Sequence, residues 1–102
     1  MAAPRIRTAI GARFATQRFK GQGRIKNLGE HGLFVRTSQL PEAGETVHVS
    51  FTFPSGEKVW VVGVVWWTTA SLDAATEMPS GFGLRLLDDD DTYRQVVARL
   101  LD

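Results

Sequence analysis

The 102 residues predict a mostly-β fold: about six antiparallel strands in a closed or nearly closed barrel, followed by one C-terminal α-helix. Three observations carry this expectation. Val47, Val49, Phe51 and Phe53 alternate with Thr46, His48, Ser50 and Thr52, the period-2 pattern of a strand between core and water. Pro54-Ser55-Gly56 then supplies a turn, and the apolar run Val59 to Trp67 returns, which reads as a hairpin. Near the end the period changes. Tyr93, Val96, Val97, Leu100 and Leu101 fall at i, i+3, i+4, i+7 and i+8, one apolar stripe of a helix.

The elements follow in chain order. Residues 1–8 are polar and basic and are expected to form an extended or flexible leader. Ala12, Phe14 and Thr16 alternate with Arg13, Ala15 and Gln17 as a first strand. Phe19 to Gly23 holds turn material, and Arg24 to Leu28 reads as a second strand. Gly29 and Gly32 bracket a break at Glu30 and His31. Leu33-Phe34-Val35 is a short apolar strand, and Pro41 to Gly44 is a turn by composition. The run from Val59 to Thr68 is apolar on both faces, with Val59, Val61, Val65 and Trp67 on one and Trp60, Val62, Val64 and Trp66 on the other. Such a strand calls for cover outside as well as inside, and the C-terminal stripe is the expected cover. Ala70 to Ser80 reads as a loop, and Phe82, Leu84 and Leu86 alternate with Gly83, Arg85 and Leu87 as the last strand. Asp88 to Asp91 precede the helix, expected over 90–101. An aspartate or Thr92 suits its N-cap, and carboxylates suit the positive end of its dipole.

Composition narrows the function classes. The chain is long enough for one domain, 1–102, and too short for two. With no cysteine there is neither a disulfide nor a thiolate metal site, which fits a cytoplasmic setting. No apolar run approaches the roughly 20 residues of a membrane helix, so no membrane insertion is expected. Net charge is +1, but its distribution is uneven: seven of the 12 basic residues precede position 27, and no acid precedes Glu30. That asymmetry points to an anionic ligand or partner at the N-terminal end, although strand-edge lysines and arginines also serve against aggregation. Two histidines without an acidic cluster do not suggest a metal. Neither a nucleophile–histidine–acid set nor a Gly-rich phosphate loop is evident, so no catalytic residue and no enzymatic activity are expected.

The order of landmarks resembles the PilZ domain family over nearly the whole chain. Asn27-Leu-Gly-Glu-His-Gly32 stands where that family carries Asp/Asn-x-Ser-x-x-Gly. Leu33-Phe-Val-Arg36, Leu40-Pro-Glu-Ala-Gly44, Pro54-Ser-Gly56, Gly63-Val-Val-Trp66 and Gly81-Phe-Gly-Leu-Arg-Leu86 follow in the family's order. The resemblance implies a six-stranded barrel with a C-terminal helix. It also implies a site for cyclic di-GMP, a bacterial second messenger with two phosphates and two guanines. Arginine suits it through forked hydrogen bonds to phosphate and stacking on guanine.

On this resemblance the site residues are Arg5, Arg7, Asn27, Gly29 and Gly32. Two departures bear on affinity. The family's Arg-x-x-x-Arg pair would fall at Met1 and Arg5, so Arg7 must substitute for the first arginine, at spacing two. Both still share one face of an extended chain. Gly29 replaces the serine and its hydroxyl. One charged hydrogen bond is worth ~1.5–3 kcal/mol and one neutral bond ~0.5–1.5, together roughly two to three decades of affinity. Weak or absent cyclic di-GMP binding, no other cofactor, and an adaptor role exerted on a protein partner are therefore expected. Motility, type IV pili, polarity or surface polysaccharide are the processes the resemblance offers. The alternatives are a full receptor clamping the nucleotide with Arg5 and Arg7, and a nucleic-acid-binding barrel. The second is disfavoured because the aromatics sit in continuous apolar runs. Trp60, Trp66 and Trp67 are expected to put two rings in the core and one on a partner surface.

Overall fold

The computed structural model describes residues 4–71 and 79–102. Six strands form one closed antiparallel barrel: β1 (Ile6–Ala15), β2 (Lys20–Leu28), β3 (Gly32–Arg36), β4 (Thr46–Thr52), β5 (Lys58–Thr68) and β6 (Gly81–Asp89). Around the wall they run β1-β2-β3-β6-β5-β4. A single 3₁₀ turn, Thr69–Ser71, follows β5, and helix α1 (Asp91–Leu101) follows β6. Most of the Ala70–Ser80 loop, like Met1, lies outside the described residues. No described helix is long and apolar enough to cross a membrane.

The alternation read at Val47–Phe53 is burial alternation: along β4 every second residue is buried, Val47, Val49 and Phe51. These side chains meet Ile10, Ala12 and Phe14 of β1, Ile25 and Leu28 of β2, Leu33 and Val35 of β3, and Phe82 and Leu84 of β6 in one core. Gly44 and Gly56 take φ of +92° and +106°, a region glycine enters without strain, and so serve the turns before and after β4.

Three expectations need correction. The leader is shorter than residues 1–8, because Ile6 and Arg7 already pair with Leu28 and Asn27 in β1–β2. Lys20 to Gly23 belongs to β2, and the turn lies before it, closed by Thr16 N–H donating to the Phe19 carbonyl at 2.8 Å. Gly21 serves close approach, since a Cβ there would stand 2.5 Å from the Phe14 ring.

The third correction concerns β5. Its inner residues Val59, Val61 and Val65 are buried, but Trp60 is 44% and Trp66 64% exposed. No described helix covers them. β6 ends at Asp89 opposite Val61, and one residue separates it from α1, so the helix turns over the near end of the barrel instead of climbing its outer wall. There Tyr93, Val96 and Val97 enter the core, and the Tyr93 ring lies 6.1 Å from both Phe51 and Phe53. Leu101 packs at the margin, whereas Leu100 is 53% exposed. Asp90 starts the helix: its carboxylate accepts from Tyr93 N–H at 3.0 Å and from Trp60 N–H at 3.1 Å. An N-cap of this kind is worth about 0.5–2 kcal/mol. Here it also ties the helix to β5. The acidic run is thus a helix start, with Arg94 bridging Asp89 and Asp91 at 3.1 and 2.8 Å.

A candidate anion-binding face

Pairing of Ile6 with Leu28 and Arg7 with Asn27 sets which side chains face out at the start of β1. Leu28 is buried and Arg7 exposed, so Arg7 and Asn27 share the outer surface. Arg5, two residues earlier, reaches the same surface, and its Nη1 donates to Asn27 Oδ1 at 2.7 Å. A guanidinium has five donors, so this bond leaves others for an anion.

Gly29 to Gly32 forms the tight connection between β2 and β3, closed by Gly29 N–H donating to the Gly32 carbonyl at 2.9 Å. Neither glycine needs positive φ. What they provide is room. A Cβ at Gly29 would stand 2.7 Å from the Pro4 carbonyl and 3.1 Å from Arg5 Cδ, and one at Gly32 would stand 2.8 Å from the Leu84 carbonyl and 2.9 Å from Arg5 Nη2. Both positions therefore serve close approach: Arg5 lies over the two residues of the loop that carry no side chain. The same geometry leaves no space for a serine at position 29 unless the Pro4–Arg5 segment moves.

The loop is held from below. Tyr93 O–H donates to the Gly29 carbonyl at 2.7 Å in a buried setting. Burial pushes the phenol far above its ordinary value, partly opposed by the positive charge of Arg5, so it remains a donor throughout the neutral range. Leu86 N–H donates to the His31 carbonyl at 2.9 Å. The His31 ring is exposed, with Nε2 3.8 Å from Glu30 Oε2.

Beside the loop, β5 and β6 supply aromatic and cationic groups. The Arg85 guanidinium lies 5.3 Å from the Trp66 ring centroid. Trp67 stacks on Phe34 with centroids 5.4 Å apart and planes 20° apart. Gly83 makes this possible, because a Cβ there would collide with the Trp67 indole at 2.3 Å. Arg5, His31, Gly32, Trp66, Trp67 and Arg85 line a shallow cavity of about 170 Å³ with Gly83 and Leu84.

The structure thus brings Arg5, Asn27, Gly29 and Gly32 together and sets Trp66 and Trp67 beside them. Arg7 pairs with Asn27 but does not line the cavity. Trp60 lies elsewhere, near Arg13 and His48. Sequence reasoning gave Arg85 no role. Its signal was outward parity on the last strand next to Gly83. The apolar stripe marks Tyr93 as core, and nothing local announces its hydroxyl bond to a residue 64 positions away. Chemically, the face offers fixed cationic donors, an amide and flat aromatic surfaces, which suit a phosphate-bearing ligand with planar bases.

The PilZ domain family model matches residues 1–102. Among solved structures, the Bacillus subtilis inhibitor of motility (MotI/DgrA) superposes with a TM-score of 0.79 at 10% identity over 98% of this chain. The chain spans about half of that protein, 48% of its length. The PilZ domain of CeSA from a cellulose-synthesizing bacterium superposes with a TM-score of 0.66 at 16% identity, covering 96% of this chain and 94% of that one. No curated protein sequence matches.

Proposed function

The chain belongs to the PilZ domain family, a family of cyclic di-GMP-binding adaptors, and from that premise we propose that it is a bacterial signalling adaptor. It takes cyclic di-GMP weakly on the Arg5–Asn27–Gly32 face and acts by contact with a protein partner. The observation that carries the ligand half is the bond from Arg5 to Asn27 above the Gly29–Gly32 loop, which gathers one phosphate-competent arginine and the loop on one surface. Weakness follows from the same surface. Of the two arginine side chains only that of Arg5 is hydrogen-bonded to Asn27 among the described residues, and Gly29 offers no hydroxyl.

The adaptor half is supported by Trp60 and Trp66, exposed on the outer face of β5 with Leu87, 65% exposed, on β6. Exposed aromatics of this kind anchor protein interfaces. We place the domain in the cytoplasm, which a chain without cysteine fits. The motility named for MotI/DgrA is the process in which to look for it first. Calorimetric titration with cyclic di-GMP is expected to give a Kd above about 10 µM, less than ~7 kcal/mol of binding free energy. A Kd below about 1 µM would overturn the weak-binding reading in favour of a full receptor.

A further inference from the structure

We propose that the outer wall centred on β1, opposite β6 in the six-strand ring, is a docking surface for an extended acidic segment of a protein partner. The first observation is how cations are used. Away from this wall, Arg18 pairs with Glu45, Arg94 with Asp89 and Asp91, and Arg99 with Glu57. Arg5 is bonded to Asn27, and Arg85 stacks on Trp66. On the wall, Arg13, Lys20, Arg24, Arg36 and Lys58 make no ion pair among the described residues; Arg7 and Lys26 make none either, but they line none of the wall's depressions.

The second observation is shape. Three adjoining depressions lie on this wall, two of about 420 and 680 Å³ across β1, β2, β4 and the start of β5 and one of about 530 Å³ across β2 and β3, and among the described residues no acid lines any of them. The first two share Arg13, and the second and third share Arg24. Register places Arg36 opposite Arg24 and Arg24 opposite Gly11, with Lys58 opposite Thr52 farther round the wall. At the centre of that row Gly11 leaves a gap, and a Cβ there would meet nothing within 4 Å.

An acidic polypeptide fits these features. Alternate side chains of an extended chain repeat every ~6.6–6.8 Å, the repeat of outward residues along one strand, Gly11 and Arg13 on β1 and Lys20, Gln22 and Arg24 on β2, while the neighbouring strands add cations every ~4.7–4.9 Å across the wall. Clustered unpaired cations raise the local concentration of such a segment, an effect that falls with salt. Single-stranded nucleic acid fits less well, because it needs successive aromatic platforms. On this wall the exposed indole is Trp60 alone, at one end.

The inference deepens the adaptor reading and rests on it for the existence of a partner, but it uses none of the nucleotide-face residues. The test is fluorescence anisotropy with a labelled peptide of about 12 alternating Asp and Thr residues, beside an Asn/Thr peptide and an oligothymidylate of similar length. The Asp/Thr peptide is expected to bind at about 50 mM salt and to weaken at least about tenfold at ~200 mM. Gly11→Glu, which has space for its side chain, is expected to weaken it at least about tenfold as well. The double variant Arg13→Ala/Arg24→Ala should do the same, while Arg5→Ala leaves peptide binding unchanged. Failure of the Asp/Thr peptide to bind, binding by Gly11→Glu or the double variant as tight as that of the unchanged protein, or tighter binding of oligothymidylate would each overturn the proposal. Cyclic di-GMP titration of the unchanged protein separates the two readings: failure of the peptide to bind it with nucleotide binding intact removes this surface and leaves the nucleotide face standing.

Discussion

Replacing Tyr93 with alanine is expected to lower the unfolding free energy by about 3–5 kcal/mol, measured by urea denaturation. The ring is fully buried and packs against the Phe51–Phe53 pair, 6.1 Å from each, at the end of the barrel that α1 closes. Truncation removes a large apolar surface and opens a cavity where three elements meet. A domain of this size has only about 5–15 kcal/mol in total, so the variant would be marginal. Tyr93→Phe keeps the ring and removes only the bond to the Gly29 carbonyl. Its expected cost is therefore smaller, about 1–3 kcal/mol, dominated by a buried acceptor left without a partner. A loss below about 1 kcal/mol for Tyr93→Ala would mean that the helix does not close the barrel.

Arg5→Ala is the second large effect, and it falls on ligand binding. Loss of a charge-assisted phosphate contact of ~1.5–3 kcal/mol raises Kd by about 10- to 150-fold. Stability should change by less than about 0.5 kcal/mol, because the Arg5–Asn27 bond is exposed. Arg7→Ala is expected to do less, since of the two arginine side chains only that of Arg5 both is hydrogen-bonded to Asn27, among the described residues, and lines the cavity with Gly32. The comparison is made by calorimetry at low salt. Unchanged affinity in Arg5→Ala would remove this arginine from the site.

Much of the barrel can be read locally. The alternation through Val47, Val49 and Phe51 reports one wall facing oil and water, and the Tyr93, Val96, Val97 spacing reports one helix face. Asp90 is the sort of residue that starts a helix, and Asn27 to Gly32 marks a strand end. What failed locally was decided at long range. β5 is apolar on both sides, so periodicity alone does not tell which side meets the core. The barrel's closure through β6 and β4 decides it, with register shifts at Val62/Gly63 and Val65/Trp67. Trp67 then finds Phe34 and Gly83, partners that its neighbours in the chain do not reveal. The glycines of the loop were legible as glycines, but their purpose depends on where Pro4, Arg5 and the Leu84 carbonyl come to rest. The pairing of Ile6 with Leu28 likewise draws the basic leader into β1, which composition alone does not report.

The most direct test is an amide and indole chemical-shift titration with cyclic di-GMP, which locates even a weak ligand. The largest shifts are expected at Asn27 to Gly32 and at the Trp66 and Trp67 indoles, with Gly11 to Arg13 and Trp60 silent. Shifts confined to the β1 wall, or none at millimolar nucleotide, would contradict the placement of the ligand on the Arg5 face.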